Sequence, residues 1–108
     1  MDHPTSIKGV VLHHGRVLLL ANGRGEWDLP GGRPVAGEYY RATLVREVRE
    51  ETGLSVEPGA LLDEHLFEVL PQRYVRIVAY VCSLAGDSEI TLSDEHLEVS
   101  WVTLSEVG

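Results

Sequence analysis

The chain reads GRPVAGE at residues 32–38 and, after seven further residues, REVREETGL at residues 46–54. Around and within these stretches, apolar side chains recur at intervals of three and four residues, the spacing of one helix face. They are Tyr40, Leu44, Val45 and Val48. We therefore predict a helix from Glu38 to Thr52, with Gly53 as its C-terminal cap.

The predicted helix carries the carboxylates of Glu47, Glu50 and Glu51 on one side, because residues three and four apart are neighbours on a helix. Like charges at this spacing destabilise a helix by roughly 0.2–0.5 kcal/mol a pair. The helix dipole also disfavours acids at the C-terminal end. A bound cation would reverse both effects, and carboxylate oxygens suit Mg²⁺ or Mn²⁺. The pattern therefore indicates a divalent-metal site.

A helical projection at about 100° per residue orders the three acids. Glu51 falls inside the apolar stripe, Glu47 lies at its edge, and Glu50 lies farther out. Arg46 projects from the opposite side of the helix but can reach Glu50 one turn on. The alternative interpretation of Arg46 is a surface ion pair worth about 0.3–0.5 kcal/mol. We expect the acids to line a cleft that starts where the core ends.

The segment from Gly32 to Leu54 also resembles the box of the Nudix hydrolases. In that box a glycine is followed at fixed intervals by a glutamate and then by an Arg-Glu run that ends in a glycine and an aliphatic residue. The matching positions are Gly32, Glu38, Arg46, Glu47, Val48, Glu50, Glu51, Gly53 and Leu54. The preceding WDLPG at 27–31 and the pair Trp101-Val102 are similar to the family as well. The resemblance covers nearly the whole chain and implies a single Nudix domain over residues 1–108.

Strand patterns surround the predicted helix. They predict one hairpin before it, a second strand pair after it, a short strand over residues 90–92 and a final strand. The longer runs are Ile7–Leu12 with Arg16–Ala21, Leu61–Leu70 with Arg73–Leu84, and Glu98–Leu104, whereas residues 22–28 indicate a loop. This order predicts an α/β fold of the α+β type: a Nudix-like mixed β-sheet sandwich with the box helix on one face.

Nudix domains usually continue past the strand of Trp101 into a second long helix, which covers the other sheet face. This chain stops at Gly108, where that helix would begin. The resemblance therefore implies a missing C-terminal helix, so that either the chain is truncated or another subunit covers the face. An uncovered apolar face is an association surface, and a homodimer is one expectation.

The resemblance also implies a function: metal-dependent hydrolysis of a pyrophosphate bond in a nucleoside diphosphate linked to another moiety. The implied Mg²⁺ or Mn²⁺ ligands are the carboxylates of Glu47, Glu50 and Glu51 and the carbonyl oxygen of Gly31. Glu38 and Arg46 would hold those carboxylates in orientation. A non-catalytic Nudix-like module that binds a nucleotide as a sensor is the alternative. A structural protein that uses its acids for solubility is a third hypothesis.

A further carboxylate from outside the box often serves this family as a metal ligand or general base. Glu95 and Glu98 are the two candidates here. We favour Glu95 as catalytic residue and ligand, because residues 93–96 indicate a loop and a loop can reach over a cleft. Glu98 opens the last strand, where a solvent-facing side chain is the simpler interpretation. Both residues are also consistent with plain surface acids.

Four side chains are candidate substrate contacts. Arg33 and Arg73 could pair with phosphates, and Tyr74 and Phe67 could stack on a base. Aromatic residues on strands more often pack in the core, and a surface arginine needs no ligand. Pro71 and Tyr74 lie near the positions that mark ADP-ribose and diadenosine polyphosphate enzymes but match neither spacing well. The substrate stays open between nucleoside triphosphates, oxidised nucleotides, ADP-ribose and similar compounds.

The formal net charge of −8 argues against a nucleic-acid polymer as partner, because binding a phosphate backbone needs a basic patch. A small nucleotide that carries a divalent metal meets no such obstacle. Cys82 is the one cysteine, so no internal disulfide can form. No apolar run has the length of a membrane span, and the N-terminus has no signal-peptide character. The sequence therefore predicts a reducing, cytoplasmic setting and no membrane partner.

Overall fold

The computed structural model describes residues 3–86, 89–91 and 98–103. Within these ranges the chain forms seven strands and one helix. In chain order they are β1 (Thr5–His13), β2 (Arg16–Ala21), β3 (Trp27–Asp28), β4 (Gly31–Gly32), α1 (Tyr40–Thr52), β5 (Val56–Leu70), β6 (Arg73–Leu84) and β7 (Glu98–Thr103). In this part of the chain, no helix is long and apolar enough to cross a membrane. The α+β class predicted from the sequence is confirmed.

Strand β1 is the centre of the sheet topology. Its residues Thr5–Val11 run parallel to β6, whereas Leu12 and His13 pair antiparallel with β2. The strand path is β3-β2-β1-β6-β5, with β4 also paired to β1 and β7 to β2. Because β1 passes from one ladder into another, it joins the two halves of the mixed sheet.

Both predicted hairpins are present, and each is closed by a two-residue turn. His14 and Gly15 connect β1 to β2 with φ of 52° and 74°, and two positive values are what a type I′ turn requires. Pro71 and Gln72 connect β5 to β6, with Gln72 at φ 63°. The β5 strand begins at Val56 rather than at Leu61, so it is longer than predicted.

Helix α1 covers one face of the ladder between β1 and β6. The shared buried cluster contains Leu44 and Val48 of α1, Ile7 and Val11 of β1, and Val78 and Cys82 of β6. Burial of each large apolar side chain contributes about 1.5–3 kcal/mol. Gly9 permits the close approach, since a Cβ there would lie 3.0 Å from Leu44 Cδ1. The predicted packing of the box helix on one sheet face is confirmed.

The predicted start of the helix at Glu38 is wrong by two residues. Tyr39 has extended dihedral angles, φ −70° and ψ 148°, and is the N-cap, so α1 begins at Tyr40. Tyr40 is 37% exposed and contributes little to the core, whereas Thr43 is fully buried. The predicted C-cap is confirmed, because Gly53 has φ 76° and donates its N–H to the Arg49 carbonyl.

Three further segments either differ from the prediction or lie outside the described residues. Trp27 and Asp28, predicted as loop, form the short strand β3 opposite Ala21 and Leu20. Residues 90–91 are not in a strand, and Leu92 lies outside the described residues. The last strand ends at Thr103 in the described chain, and residues 104–108, to which the expectation about a C-terminal helix refers, also lie outside it.

The β5–β6 hairpin exposes large apolar side chains on both of its faces. Leu62, Phe67 and Leu70 are 57%, 54% and 59% exposed. Among the described strands, β5 stands at the end of the strand path and pairs with β6 alone. This hairpin is therefore an edge of the sheet with an apolar surface.

Candidate functional site

Arg46 is the centre of a hydrogen-bond network at the start of the site. Its Nε and Nη2 donate to the two carboxylate oxygens of Glu38 at 2.8 and 3.0 Å. Its Nη1 donates to Glu47 Oε1 at 2.8 Å and lies 3.3 Å from Glu50 Oε2, while Nη2 also donates to the Arg33 carbonyl at 3.1 Å. A guanidinium has five N–H groups, and these contacts use all five. The interpretation of Arg46 as a simple surface pair with Glu50 is therefore wrong.

Glu38 is fixed from three sides although it precedes the helix. Besides the fork of Arg46, Glu38 Oε1 accepts hydrogen bonds from the Thr43 hydroxyl at 2.8 Å and from the Val35 N–H at 3.1 Å. The hydrogen bonds from Arg46 and the other donors hold the pKa of Glu38 at about 2, below its usual value. Glu38 is thus ionised at neutral pH and anchors the guanidinium of Arg46.

Two glycines bring the β4 backbone against the acids of α1. A Cβ at Gly32 would overlap the Glu47 carboxylate, so only glycine fits there without moving that side chain. Gly31 has φ 150°, and a Cβ on it would overlap the Ile7 carbonyl. The Gly31 N–H donates to Glu51 Oε1 at 2.9 Å. The strand therefore meets the helix acids directly at Gly31 and Gly32.

Of the three helix acids, Glu47 and Glu51 are half-buried and Glu50 is exposed, which confirms the prediction that Glu50 lies farthest out. Burial raises the pKa of Glu51 to about 7. The hydrogen bond from the Gly31 N–H opposes this rise, and the negative charge of Glu47 adds to it. The Glu47 side chain is 20% exposed, and that of Glu50 is 58% exposed. The acids thus run from the core edge at Glu51 to solvent at Glu50.

The carboxylate and carbonyl oxygens of this site are the kind of ligand that a hard divalent cation binds, but they are not arranged as a complete metal site. In the described ranges, no group of three or more His, Cys, Asp or Glu side chains is assembled so that it could hold a metal as it lies. Glu47 and Glu50 turn toward Arg46, and Glu51 turns toward Gly31. The Glu47 and Glu51 carboxylates nevertheless already lie against the β4 backbone, at Gly32 and Gly31. The raised pKa of Glu51 is consistent with an acid that a nearby cation would stabilise.

The structure describes only one of the two candidates for the extra carboxylate. Glu95 lies outside the described residues. Glu98 begins β7, is exposed and pairs with Ala21 of β2. The choice between them therefore stays a prediction.

Three of the four candidate substrate residues share one pocket. A cavity of about 490 Å³ is lined by Arg33, Arg73 and Tyr74. His3 near the N-terminus and further residues of the β5–β6 hairpin complete its lining. The His3 and Tyr74 rings meet edge to face, with centroids 5.8 Å apart. Phe67 is 54% exposed and is not among the residues that line this cavity. The structure therefore groups the two arginines with Tyr74 and leaves Phe67 apart.

Sequence reasoning missed two residues of this neighbourhood. Thr43 is buried and bonded to Glu38, and a polar residue within a helix beside an apolar stripe is the signal that could have found it. Lys8 lies on β1 with its ammonium 3.0 Å from Asp28 Oδ2 and 3.3 Å from the Leu29 carbonyl. A lysine inside the apolar run 7–12 was visible in the sequence as well.

Comparisons with known proteins agree with this architecture. The model of the NUDIX domain family matches residues 4–108. A MutT-like protein of Streptomyces ambofaciens is 40% identical over 98% of this chain, which spans 68% of that relative. A Mycobacterium tuberculosis protein named "Putative 8-oxo-dGTP diphosphatase 2" is 36% identical over 77% of the chain, and the matched part is 57% of that relative's length.

Solved structures show the same fold. A MutT protein from Methanosarcina mazei Go1 superimposes with a TM-score of 0.83 at 32% identity, covering 99% of this chain and 83% of that one. The family model, these relatives and the geometry of the box residues agree. The chain belongs to the NUDIX domain family.

Proposed function

We propose that this domain catalyses metal-dependent hydrolysis of a pyrophosphate bond in a nucleoside diphosphate linked to another moiety. The observation that supports this most is the Arg46 network, which holds Glu47 and Glu50 while the Glu47 carboxylate lies against the backbone of Gly32. A solvated acidic helix face would not need an anchor whose five donors are all used. It would also not need a glycine under the Glu47 carboxylate.

The proposed cofactor is Mg²⁺ or Mn²⁺. Its proposed ligands are the Gly31 carbonyl and the carboxylates of Glu47, Glu50, Glu51 and Glu95. When bound, a divalent metal neutralises diphosphate charge and lowers the pKa of a bound water. Glu38 and Arg46 then act as positioning residues that restrict where the Glu47 and Glu50 carboxylates can turn.

We propose that the pocket of Arg33, Arg73 and Tyr74 receives the part of the substrate that does not react. Neither arginine has a carboxylate partner among the described residues, although the chain carries a net charge of −8. Guanidinium groups beside an aromatic ring suit a phosphate and a base or sugar. The backbone of Arg33 connects this pocket to Arg46 through a 3.1 Å hydrogen bond. Phe67 remains a weaker candidate on the neighbouring strand.

The substrate class follows only coarsely from the relatives. Besides the 8-oxo-dGTP protein, one relative is named nucleoside triphosphatase NudI from Enterobacter and one solved neighbour is an ADP-ribose pyrophosphatase from Streptococcus suis. We therefore propose a small nucleotide, not a nucleic-acid polymer, in the reducing cytoplasm that the single Cys82 favours.

A screen of nucleoside triphosphates, 8-oxo-dGTP, ADP-ribose and dinucleotides with Mg²⁺ or Mn²⁺ tests the proposal. Chromatography should show cleavage of a pyrophosphate bond that stops when the metal is chelated. Glu50→Gln should abolish most of this turnover, whereas Glu57→Gln, on the exposed part of β5, should not. Tight nucleotide binding without any cleavage would instead favour the sensor alternative.

A further inference from the structure

The Arg46 network supplies no hydrogen-bond donor to the proposed diphosphate. All five N–H groups of Arg46 are already directed at Glu38, Glu47, Glu50 and the Arg33 carbonyl. Arg46 therefore cannot donate to a substrate phosphate without breaking its own network. A polyanionic substrate next to this many acids needs another donor.

Lys8 is a candidate for that donor. It is the register partner of Gly31 in the antiparallel pair of β1 and β4. Gly31 in turn donates its N–H to Glu51, so this one glycine lies between Lys8 on β1 and Glu51 on α1. The charges of Lys8 and Asp28 both act on the Glu51 carboxyl. Lys8 is thus an electrostatic neighbour of the metal site, although it lies outside the box.

The Lys8 ammonium is restrained by two hydrogen bonds, which leave one of its N–H groups for a further acceptor. Its side chain is 19% exposed, so its aliphatic stem is packed, whereas Asp28 is 60% exposed. Asp28 and the Leu29 carbonyl accept two hydrogen bonds, and an ammonium has three N–H groups. A third N–H is therefore left for a ligand. A flexible lysine would lose more side-chain entropy on meeting a ligand than one already restrained in this way.

We infer that Lys8 is a substrate-binding residue whose ammonium donates to a phosphate oxygen of the diphosphate, with Asp28 as its positioning residue. This inference rests on the proposed function and names one more of its contacts. It also gives the Lys8–Asp28 pair a role beyond that of a surface salt bridge.

Binding measurements separate this inference from the proposed function. The probe is imidodiphosphate, a pyrophosphate analogue that resists hydrolysis, titrated calorimetrically with Mn²⁺ present. Lys8→Met should weaken imidodiphosphate binding by about 10- to 100-fold, the loss expected for one charged hydrogen bond of about 1.5–3 kcal/mol. Mn²⁺ binding alone, followed by electron paramagnetic resonance, should change less than about threefold, since Lys8 is no ligand.

Three further variants complete the test. Asp28→Asn keeps the ammonium and should weaken imidodiphosphate binding less than Lys8→Met does. Arg76→Met removes an exposed ion pair with Glu64 on the β5–β6 hairpin and should leave binding unchanged. Lys8→Gln replaces Lys8→Met if the latter unfolds, and the same loss is expected.

The outcomes are distinct for the two claims. Imidodiphosphate binding by the folded Lys8 variants at the wild-type level would overturn the inference. If the wild type binds neither Mn²⁺ nor imidodiphosphate and cleaves no nucleotide, the proposed function is wrong and the inference about Lys8 is wrong with it.

Discussion

Burial favours the protonated form of the Glu51 carboxyl, whereas binding of a metal would favour its ionised form. Burial raises its pKa to about 7, so near neutral pH the protein without metal holds a carboxyl that is partly protonated. A divalent cation needs the carboxylate. We therefore expect metal binding near pH 6.5 to release protons, and the apparent affinity for Mn²⁺ to rise with pH until Glu51 is ionised.

The stability of the metal-free protein should depend on Glu51 in a specific direction. A folded-state pKa above the unfolded value of about 4.5 means that the stabilising contribution is complete below pH 4.5 and is lost as pH rises through about 7. Glu51→Gln should therefore be more stable than the wild type at pH 8, by about 1–3 kcal/mol, and the difference should shrink toward pH 4.5. Thermal melting in chelator across this range measures it.

A control and a contrary result define that test. Glu57→Gln changes an exposed acid of β5 and should show no such pH-dependent difference. If Glu51→Gln melts lower than the wild type at every pH, then Glu51 is structural and its assignment as a metal ligand is wrong.

Single residues also show what sequence could and could not predict. The spacing of Glu47, Glu50 and Glu51 predicted that Glu50 is the most exposed of the three, because helix geometry alone determines which side chain points outward. The same projection predicted that Arg46 reaches Glu50, which is confirmed, but helix geometry did not show that the long side chain also reaches back to Glu38, a residue before the helix. Lys8 was missed because its relevance depends on a strand pairing with Gly31, which no local pattern encodes.

At the scale of elements, the contact between β4 and α1 determines where Glu47 can lie. Gly32→Ala places a methyl group on the Glu47 carboxylate, which must turn away from Arg46 Nη1. We expect Mn²⁺ affinity to fall by about 10- to 100-fold, as when an orienting contact of a metal ligand is lost. The stability cost should be about 1–3 kcal/mol. Calorimetric titration with Mn²⁺ and chemical denaturation measure the two effects.

Gly23→Ala is the matched control for this change. A Cβ at Gly23 would meet nothing within 4 Å, and its φ is not positive, so the substitution should alter neither metal affinity nor activity. Undiminished Mn²⁺ binding by folded Gly32→Ala would show that the orientation of Glu47 does not matter for the site.

The segment before β7 carries the remaining prediction about the acids. Glu95→Gln should lower kcat at saturating substrate, with Glu98→Gln near the wild type, because Glu98 begins a strand and is exposed. Steady-state kinetics with the substrate found in the screen decides between them. The reverse pattern would assign the extra carboxylate to Glu98.

Element boundaries were predicted less well than element types, for physical reasons. The β1–β2 and β5–β6 hairpins follow from turn residues and strand propensity, which are local. The start of α1 depends on the extended backbone of Tyr39, and β3 depends on pairing with β2. The pairing of β3 is a tertiary contact, so sequence patterns alone left Trp27 and Asp28 in a loop.

For the whole molecule, the exposed β5–β6 hairpin predicts self-association. Leu62, Phe67 and Leu70 are each more than half exposed, and within the described chain one edge of β5 has no neighbouring strand. Such an edge offers backbone hydrogen-bonding groups to another strand. A second copy of the chain fits this edge best, because an antiparallel strand can pair with itself about a two-fold axis. We therefore expect a dimer whose population rises with protein concentration in light scattering or sedimentation.

Two substitutions on this hairpin test whether its apolar surface forms the dimer. Phe67→Lys combined with Leu70→Lys should raise the dimer dissociation constant by about tenfold or more, because two apolar side chains lose their burial in the interface. Val35→Lys, at a similarly exposed apolar residue outside the hairpin, should leave the equilibrium unchanged. A wild-type chain that stays monomeric at millimolar concentration would show that this apolar edge is not an interface between copies.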